Sequence, residues 1–118
     1  MNRVADLKER RIHPRIDHIL PINVMANGYD FVTNTKNVSC VGAYCHIEKY
    51  IPPFTKVKIK MNLPINNNGI KTNNNVECEG VIVRTEDEAK GFNVAIFFNR
   101  IKDEPRLRIS QYVNQNIA

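Results

Sequence analysis

The chain has 118 residues, which is enough for one domain with a single hydrophobic core. Hydrophobic residues make up 42% of it and charged residues 25%, and no apolar run approaches the roughly 18 residues that a membrane-spanning helix needs. The formal charge of +5 at pH 7 favours an anionic partner.

The N-terminal segment is polar and rich in arginine. It lacks the apolar region of a secretory signal, so we expect a cytoplasmic protein. We predict a flexible basic lead-in over residues 1–10 and a single domain over residues 11–118. Pro14 disfavours the helical region at the residue before it, so residues 11–15 are predicted to form a bent, extended segment.

Strand patterns follow in chain order. Asn27 and Gly28 are a strong signal for a two-residue hairpin turn, and residues 56–63 alternate apolar with polar side chains as a half-buried strand does. Residues 66–75 are polar and low in complexity, which predicts a mobile hairpin connection. Gly80 is the predicted site of a β-bulge. The predicted strands are residues 19–26, 29–38, 43–47, 56–63, 76–84 and 92–98, with a turn at residues 86–90.

The pattern changes after the last strand. Asp103, Glu104 and Pro105 are typical of a helix start. Short strands separated by polar turns favour a closed sheet, so we predict a mainly all-β fold: a small six-stranded antiparallel β-barrel with a C-terminal α-helix. The apolar side chains expected on one side of that helix are Leu107, Ile109, Tyr112, Val113 and Ile117.

The remaining reactive side chains show no spacing typical of catalysis or of a metal site. Cys40, Cys45 and Cys78 are scattered, so we expect reduced, mostly buried thiols and no metal. Ser39 has no partner base in the sequence, and we expect no enzymatic activity. The aromatic residues Tyr29, Phe31 and Tyr44 are expected in the core or at the barrel rim.

Two short segments carry the functional signal. Residues 11–15 (RIHPR) hold two arginines, and a guanidinium can make paired hydrogen bonds to a phosphate or to the O6 and N7 edge of guanine. Residues 37–42 (NVSCVG) combine Asn37 and Ser39, which hydrogen-bond locally or to a ligand, with Gly42, which tolerates positive φ. Taken separately, the first segment also fits a solvated basic arm, and the second fits an ordinary turn.

Together, these segments and the strand–helix pattern resemble the PilZ domain, the bacterial receptor module for cyclic di-GMP. The family signature is RxxxR followed by D/NxSxxG on a small β-barrel with a C-terminal helix. The resemblance covers nearly the whole chain from Glu9 on, and residues 81–84 and 91–98 also look like the family's last strands. It implies cyclic di-GMP as the ligand and no cofactor.

The resemblance also implies a role for each signature residue. Arg11 and Arg15 would wrap the ligand and contact its phosphates and the outer edge of guanine. Asn37 and Ser39 would bind the other side of the base, and Gly42 would let the backbone approach.

Two further arginines have open roles. Arg10 either engages a second, stacked ligand molecule or is solvated. Arg84 ends a predicted strand where the family often places a residue that packs against the base, and its planar group either stacks there or lies on the surface.

The predicted function is that of a cyclic di-GMP receptor in which ligand binding orders the N-terminal segment and signals to a protein partner in trans. The flagellar motor, exopolysaccharide synthesis and regulatory machinery are all open as the partner. One alternative is a nucleic-acid-binding β-barrel, which the aromatic content of 8% and the lack of Trp disfavour. The other is a PilZ-like scaffold that acts only through protein contacts.

Overall fold

A computed structural model of the protein describes residues 13–26 and 28–117, with Tyr29 described by its backbone alone. The predicted lead-in, Arg10 and Arg11 lie outside these residues. The described elements are β1 (Pro21–Ala26), β2 (Tyr29–Ser39), β3 (Gly42–Ile47), β4 (Lys56–Asn67), β5 (Ile70–Glu88), β6 (Gly91–Arg100) and α1 (Asp103–Gln115).

The six strands form a closed antiparallel barrel in the order β1-β2-β3-β6-β5-β4. Pairing of β1 with β4, at Val24 and Ile59 for example, closes the ring. The predicted mainly-β class and antiparallel architecture with a C-terminal helix are therefore confirmed. Closure leaves few unpaired strand edges, which a small sheet otherwise exposes to water and to other chains.

Alternation along each strand fills the barrel with apolar side chains. In β4 the residues at every second position, from Val57 to Ile65, are at most 3% exposed, while the lysines between them face solvent. Gly80 marks a register shift between β5 and β6, as predicted. A Cβ there would lie 2.9 Å from the carbonyl oxygen of Phe97, so the bulge brings the two backbones closer than a side chain allows.

The prediction of a mobile connection over residues 66–75 is wrong. β4 continues to Asn67 and β5 begins at Ile70, so only Asn68 and Gly69 form the turn. Their φ angles of 52° and 83° are those of a tight hairpin turn, which asparagine and glycine adopt at low cost. The predicted turn at residues 86–90 is shorter in the same way, because β5 continues to Glu88.

Contacts with α1 explain why this polar hairpin is ordered. The backbone N–H of Asn66 donates to the side-chain oxygen of Gln115 at 2.9 Å, and the Gln115 amide donates back to the Asn66 carbonyl at 2.7 Å. One turn earlier in the helix, Gln111 donates to the Asn67 side chain at 3.1 Å. The carboxamides of Gln111 and Gln115 thus provide hydrogen-bond partners for polar groups of Asn66 and Asn67 at the end of β4.

The predicted apolar face of the helix is only partly correct. Ile109, Tyr112 and Val113 are buried, at the i, i+3 and i+4 spacing of one helix face. Leu107 is 67% exposed because, at about 100° per residue, it lies nearly opposite Ile109. Ile117 is 49% exposed because the helix ends at Gln115. Among the described residues no helix has both the length and the apolar content to cross a bilayer.

The three cysteines are free thiols, and two of them, Cys40 and Cys45, are buried while Cys78 is half-buried. Burial raises the pKa of Cys45 and of Cys78 to about 12. Near neutral pH both groups therefore stay protonated and poorly nucleophilic.

Replacing Ile109 by Ala should lower the free energy of unfolding by about 2–5 kcal/mol, because it removes a fully buried side chain from the helix–barrel contact. Leu107→Ala on the same helix is the matched control and should change that free energy by less than about 0.5 kcal/mol. Urea unfolding followed by circular dichroism measures both. Equal losses in the two variants would contradict the helix orientation described above.

Candidate ligand-binding site

Backbone pairing joins the two segments singled out in the sequence. Ile16 and Val38 form an antiparallel bridge in which each N–H donates to the other's carbonyl oxygen at 3.1 Å. Both side chains point into the core, with 6% and 0% of their surface exposed. The antiparallel register then places Arg15 opposite Ser39. The end of the arginine segment thus lies beside the second segment.

A side-chain contact adds to this pairing. The Nδ1 atom of His13 lies 3.3 Å from Sγ of Cys40, within hydrogen-bonding distance for sulfur. His13 belongs to the first segment and Cys40 to the second. The two segments are therefore in contact through side chains as well as backbone.

The turn at residues 39–42 is anchored on β6. The Val41 N–H donates to the Ser39 hydroxyl at 3.2 Å, and the Val41 carbonyl accepts the N–H of Phe98 at 2.8 Å. This confirms the predicted turn built on a hydrogen-bonding side chain. A Cβ on Gly42 would collide with the carbonyl oxygen of Ile96. Gly42 therefore has a structural role, the close approach of β3 to β6.

The signature residues differ in how accessible they are. Arg15 is exposed, and no described residue forms an ion pair with it. Asn37 is half-buried, and within the described part of the chain its carboxamide makes no hydrogen bond. Ser39 is completely buried, so a ligand reaches its hydroxyl only if a covering group moves. Arg15 and Asn37 thus offer polar groups that no other residue of the described ranges engages.

The sheet register continues the site across the outside of the barrel. Asn37 pairs with Tyr44, Tyr44 with Ala95, and Ala95 with Arg84. Directly paired residues share a face of the sheet, so these four positions form one row. Arg84, the arginine with an open role, therefore lies on the same outer face as Asn37.

Glu86 contacts two residues of this row, Tyr44 and Arg84. Its carboxylate accepts the Tyr44 hydroxyl at 2.6 Å and lies 3.3 Å from Nε of Arg84. The Arg84 guanidinium carbon is 5.8 Å from the centre of the Tyr44 ring, within the range of a cation–π contact. The hydrogen bond to Glu86 is the largest cause of a raised Tyr44 pKa. Sequence reasoning missed Tyr44 and Glu86 as site neighbours, because only the strand register brings them to Arg84.

The residues that follow the arginine segment contact the C-terminal helix. Nδ1 of His18 lies 3.0 Å from the hydroxyl of Tyr112, and the two rings meet edge to face. The carbonyl of His18 accepts the Thr35 hydroxyl at 2.7 Å, and that hydroxyl accepts the N–H of Leu20 at 3.1 Å. Residues 13–20 therefore form a continuous connection between the site and α1.

In the described ranges, His, Cys, Asp and Glu side chains form no group of three or more that could hold a metal ion. His46, for example, contacts the carbonyl of Lys90 and the side chain of Asn93, at 3.3 Å each.

Comparison with known proteins identifies the architecture. The family model described as the PilZ domain matches residues 9–115. The structure of the Bacillus subtilis inhibitor of motility (MotI/DgrA) is similar with a TM-score of 0.77 and 17% sequence identity, covering 90% of this chain and 50% of that one. This chain therefore spans about half the length of that protein.

A second solved structure is similar over nearly its whole length. The PilZ domain of CeSA from a cellulose-synthesizing bacterium has a TM-score of 0.61 and 15% identity, with 86% of this chain and 96% of that chain covered. At these identities the two structures show a shared fold. Among curated proteins, none matches this chain.

Replacing Glu86 by Ala should lower the pKa of Tyr44 towards its ordinary value of 10, because the carboxylate that favours the protonated phenol is removed. Tyr44 would then lose its proton at a lower pH than in the unaltered protein. NMR titration with ring-labelled tyrosine measures this. Asp87→Ala on the same strand is the control and should leave Tyr44 unchanged; the same titration curve for Glu86→Ala and the unaltered protein would rule out the described hydrogen bond.

Proposed function

Because the chain belongs to the PilZ domain family, we propose that it is a cyclic di-GMP receptor with no catalytic activity of its own, which signals to a protein partner in trans. The observation that carries the proposal is the Ile16–Val38 pairing, which sets the exposed Arg15 beside Asn37 and Ser39. Those are the residue types and positions of the family signature.

The chemistry of these groups suits the proposed ligand. The planar Arg15 guanidinium donates paired hydrogen bonds to a phosphate or to the O6 and N7 edge of guanine. The Asn37 carboxamide both donates and accepts, which suits the amide-like edge of guanine. Arg10 and Arg11, outside the described residues, would add further donors to the same anionic ligand.

Charge pairing on β4 supports the receptor over a nucleic-acid-binding barrel. The lysines of β4 suggest a basic surface, but Lys58 pairs with Glu79 and Lys60 with Glu77 across the β4–β5 ladder. Opposite charges at paired positions compensate one another. Two of the three lysine positions on β4 thus face a carboxylate, and only Lys56, opposite Val81, does not, which disfavours a basic surface that tracks a nucleic-acid backbone.

The partner is proposed only as a class. One similar structure is named as an inhibitor of motility and the other is a domain of a protein from a cellulose-synthesizing bacterium. By analogy with those proteins, the flagellar motor and exopolysaccharide synthesis are the first two candidates for this chain, alongside regulatory machinery.

Arg15→Ala should weaken cyclic di-GMP binding at least about tenfold, because a charge-assisted pair of hydrogen bonds contributes on the order of 1.5–3 kcal/mol. Asn37→Ala should also weaken it. Arg106→Ala, an exposed arginine in α1, is the matched control and should bind as the unaltered protein does. Isothermal titration with cyclic di-GMP measures all four proteins, and the stoichiometry shows whether a second ligand binds.

Two results of that titration would count against the proposal. No saturable heat from the unaltered protein would mean that the domain has lost this ligand, and the scaffold alternative would take its place. Equal weakening by Arg15→Ala and Arg106→Ala would indicate general charge attraction in place of a site.

Signalling would use the connection from the site to α1. Ser39 is fully buried, so its contact with a ligand requires a rearrangement beside Arg15. That movement would be transmitted along residues 13–20 to the His18–Tyr112 contact. The proposed output is therefore a change in the surface around the arginine segment and the helix.

Hydrogen exchange tests this coupling. With saturating cyclic di-GMP, the amides of residues 13–20 and of the last turns of α1 should change in protection, because the His18–Tyr112 contact joins them. Amides of residues 28–32, at the β1–β2 turn, serve as the internal control. Changes confined to residues 37–42 would contradict transmission to the helix.

A further inference from the structure

Phe97 is an exposed aromatic side chain on the outer face of β6, with 47% of its surface accessible. The residues before and after it on the same strand, Ile96 and Phe98, are each only 3% exposed. Single exposed apolar side chains are common on soluble proteins, so exposure alone assigns no role. Its position relative to the signature residues does carry information.

Phe97 lies on the same row of the sheet as the end of the signature. Ser39 pairs with Gly42, and Gly42 pairs with Phe97. The Ile16–Val38 bridge places Arg15 opposite Ser39 at the other end of this row. Arg15, Ser39, Gly42 and Phe97 therefore lie in line across four neighbouring segments, on the outer face of the barrel.

The middle of this row carries no exposed side chain. Gly42 has none and Ser39 is completely buried, so Arg15 and Phe97 are the exposed side chains at the two ends of the row. With strands about 4.8 Å apart, Ser39 and Phe97 are separated by roughly 10 Å across the sheet. A ligand held by Arg15 over this gap would meet the aromatic ring on its far side.

The neighbouring row continues the same surface. Ala95 lies two residues before Phe97 on β6, between Tyr44 and Arg84. Its small side chain leaves room for the Arg84 guanidinium to lie near the Tyr44 ring. Phe97 thus borders a surface of planar groups, the kind on which a nucleobase stacks.

We propose that Phe97 is a ligand-binding residue, whose ring stacks on a purine of the bound cyclic dinucleotide. This inference rests on the proposed function and adds a residue to that site. The guanidinium of Arg15 supplies charge and hydrogen bonds at one end of the row. The phenyl ring supplies an apolar face at the other, so that one ligand is held by both.

A tryptophan reporter tests the contact directly. The chain has no Trp, so Phe97→Trp introduces a single indole at the proposed stacking position. Its fluorescence should be quenched saturably by cyclic di-GMP, because a stacked guanine quenches indole emission. Val32→Trp, at an exposed position among the residues that serve as the hydrogen-exchange control, is the control and should show no saturable change. Unchanged emission from Phe97→Trp at a ligand concentration that saturates it calorimetrically would overturn the assignment.

Titration of two further variants separates stacking from simple apolar contact. Phe97→Leu should weaken cyclic di-GMP binding about tenfold, whereas Phe97→Tyr, which keeps a ring, should bind within about threefold of the unaltered protein. Both changes are on an exposed face, and thermal unfolding checks that the fold is intact.

The outcomes distinguish this inference from the function on which it rests. Suppose that the unaltered protein and Phe97→Leu bind cyclic di-GMP equally well and Arg15→Ala does not. The receptor function would then be supported, and the proposed role of Phe97 would be wrong. If the unaltered protein does not bind cyclic di-GMP, both are overturned.

Discussion

The backbone pairing between Ile16 and Val38 is the contact on which the candidate site depends. The arginine segment is not part of a named strand, and these two hydrogen bonds fix it against the end of β2. They do so where β1 no longer borders β2, since the β1–β2 ladder begins at Pro21 and Asn34. The backbone around Ile16 thus pairs with a part of β2 that β1 does not reach, and Arg15 lies beside Asn37 and Ser39 as a result.

Strand register extends the site beyond these residues. In an antiparallel ladder the pairing of one residue fixes the position of all others on both strands, so the β2–β3, β3–β6 and β5–β6 ladders together align Asn37 with Arg84. The bulges in β2 and β5 shift this alignment locally. Barrel closure then makes the outer surface a continuous face on which distant sequence positions become neighbours.

The extended β4–β5 hairpin shows how tertiary contacts overrule local composition. Residues 66–75 are rich in asparagine, which is unfavourable in isolated strands and favours turns. In the folded protein the carboxamides of Asn67 and Asn74 bond across the hairpin, and the Asn67 carboxamide also accepts from Gln111 of α1. Gln115 of α1 bonds to the backbone of Asn66. A polar sequence read alone predicts a loop, because the helix residues that satisfy its hydrogen bonds lie 44 and 49 residues further along the chain.

The sequence by itself determined the strand count, the antiparallel class, the C-terminal helix and the turn at residues 39–42, because alternation, turn residues and capping preferences are local properties. It also determined the family signature. Only the tertiary structure decided that Ser39 is buried, that Gly42 is required by the approach of β6, that Tyr44 and Glu86 contact Arg84, and that the exposed Phe97 is paired with Gly42. The physical reason is that burial and cross-strand neighbours follow from register and packing between segments far apart in the chain, which no local pattern encodes.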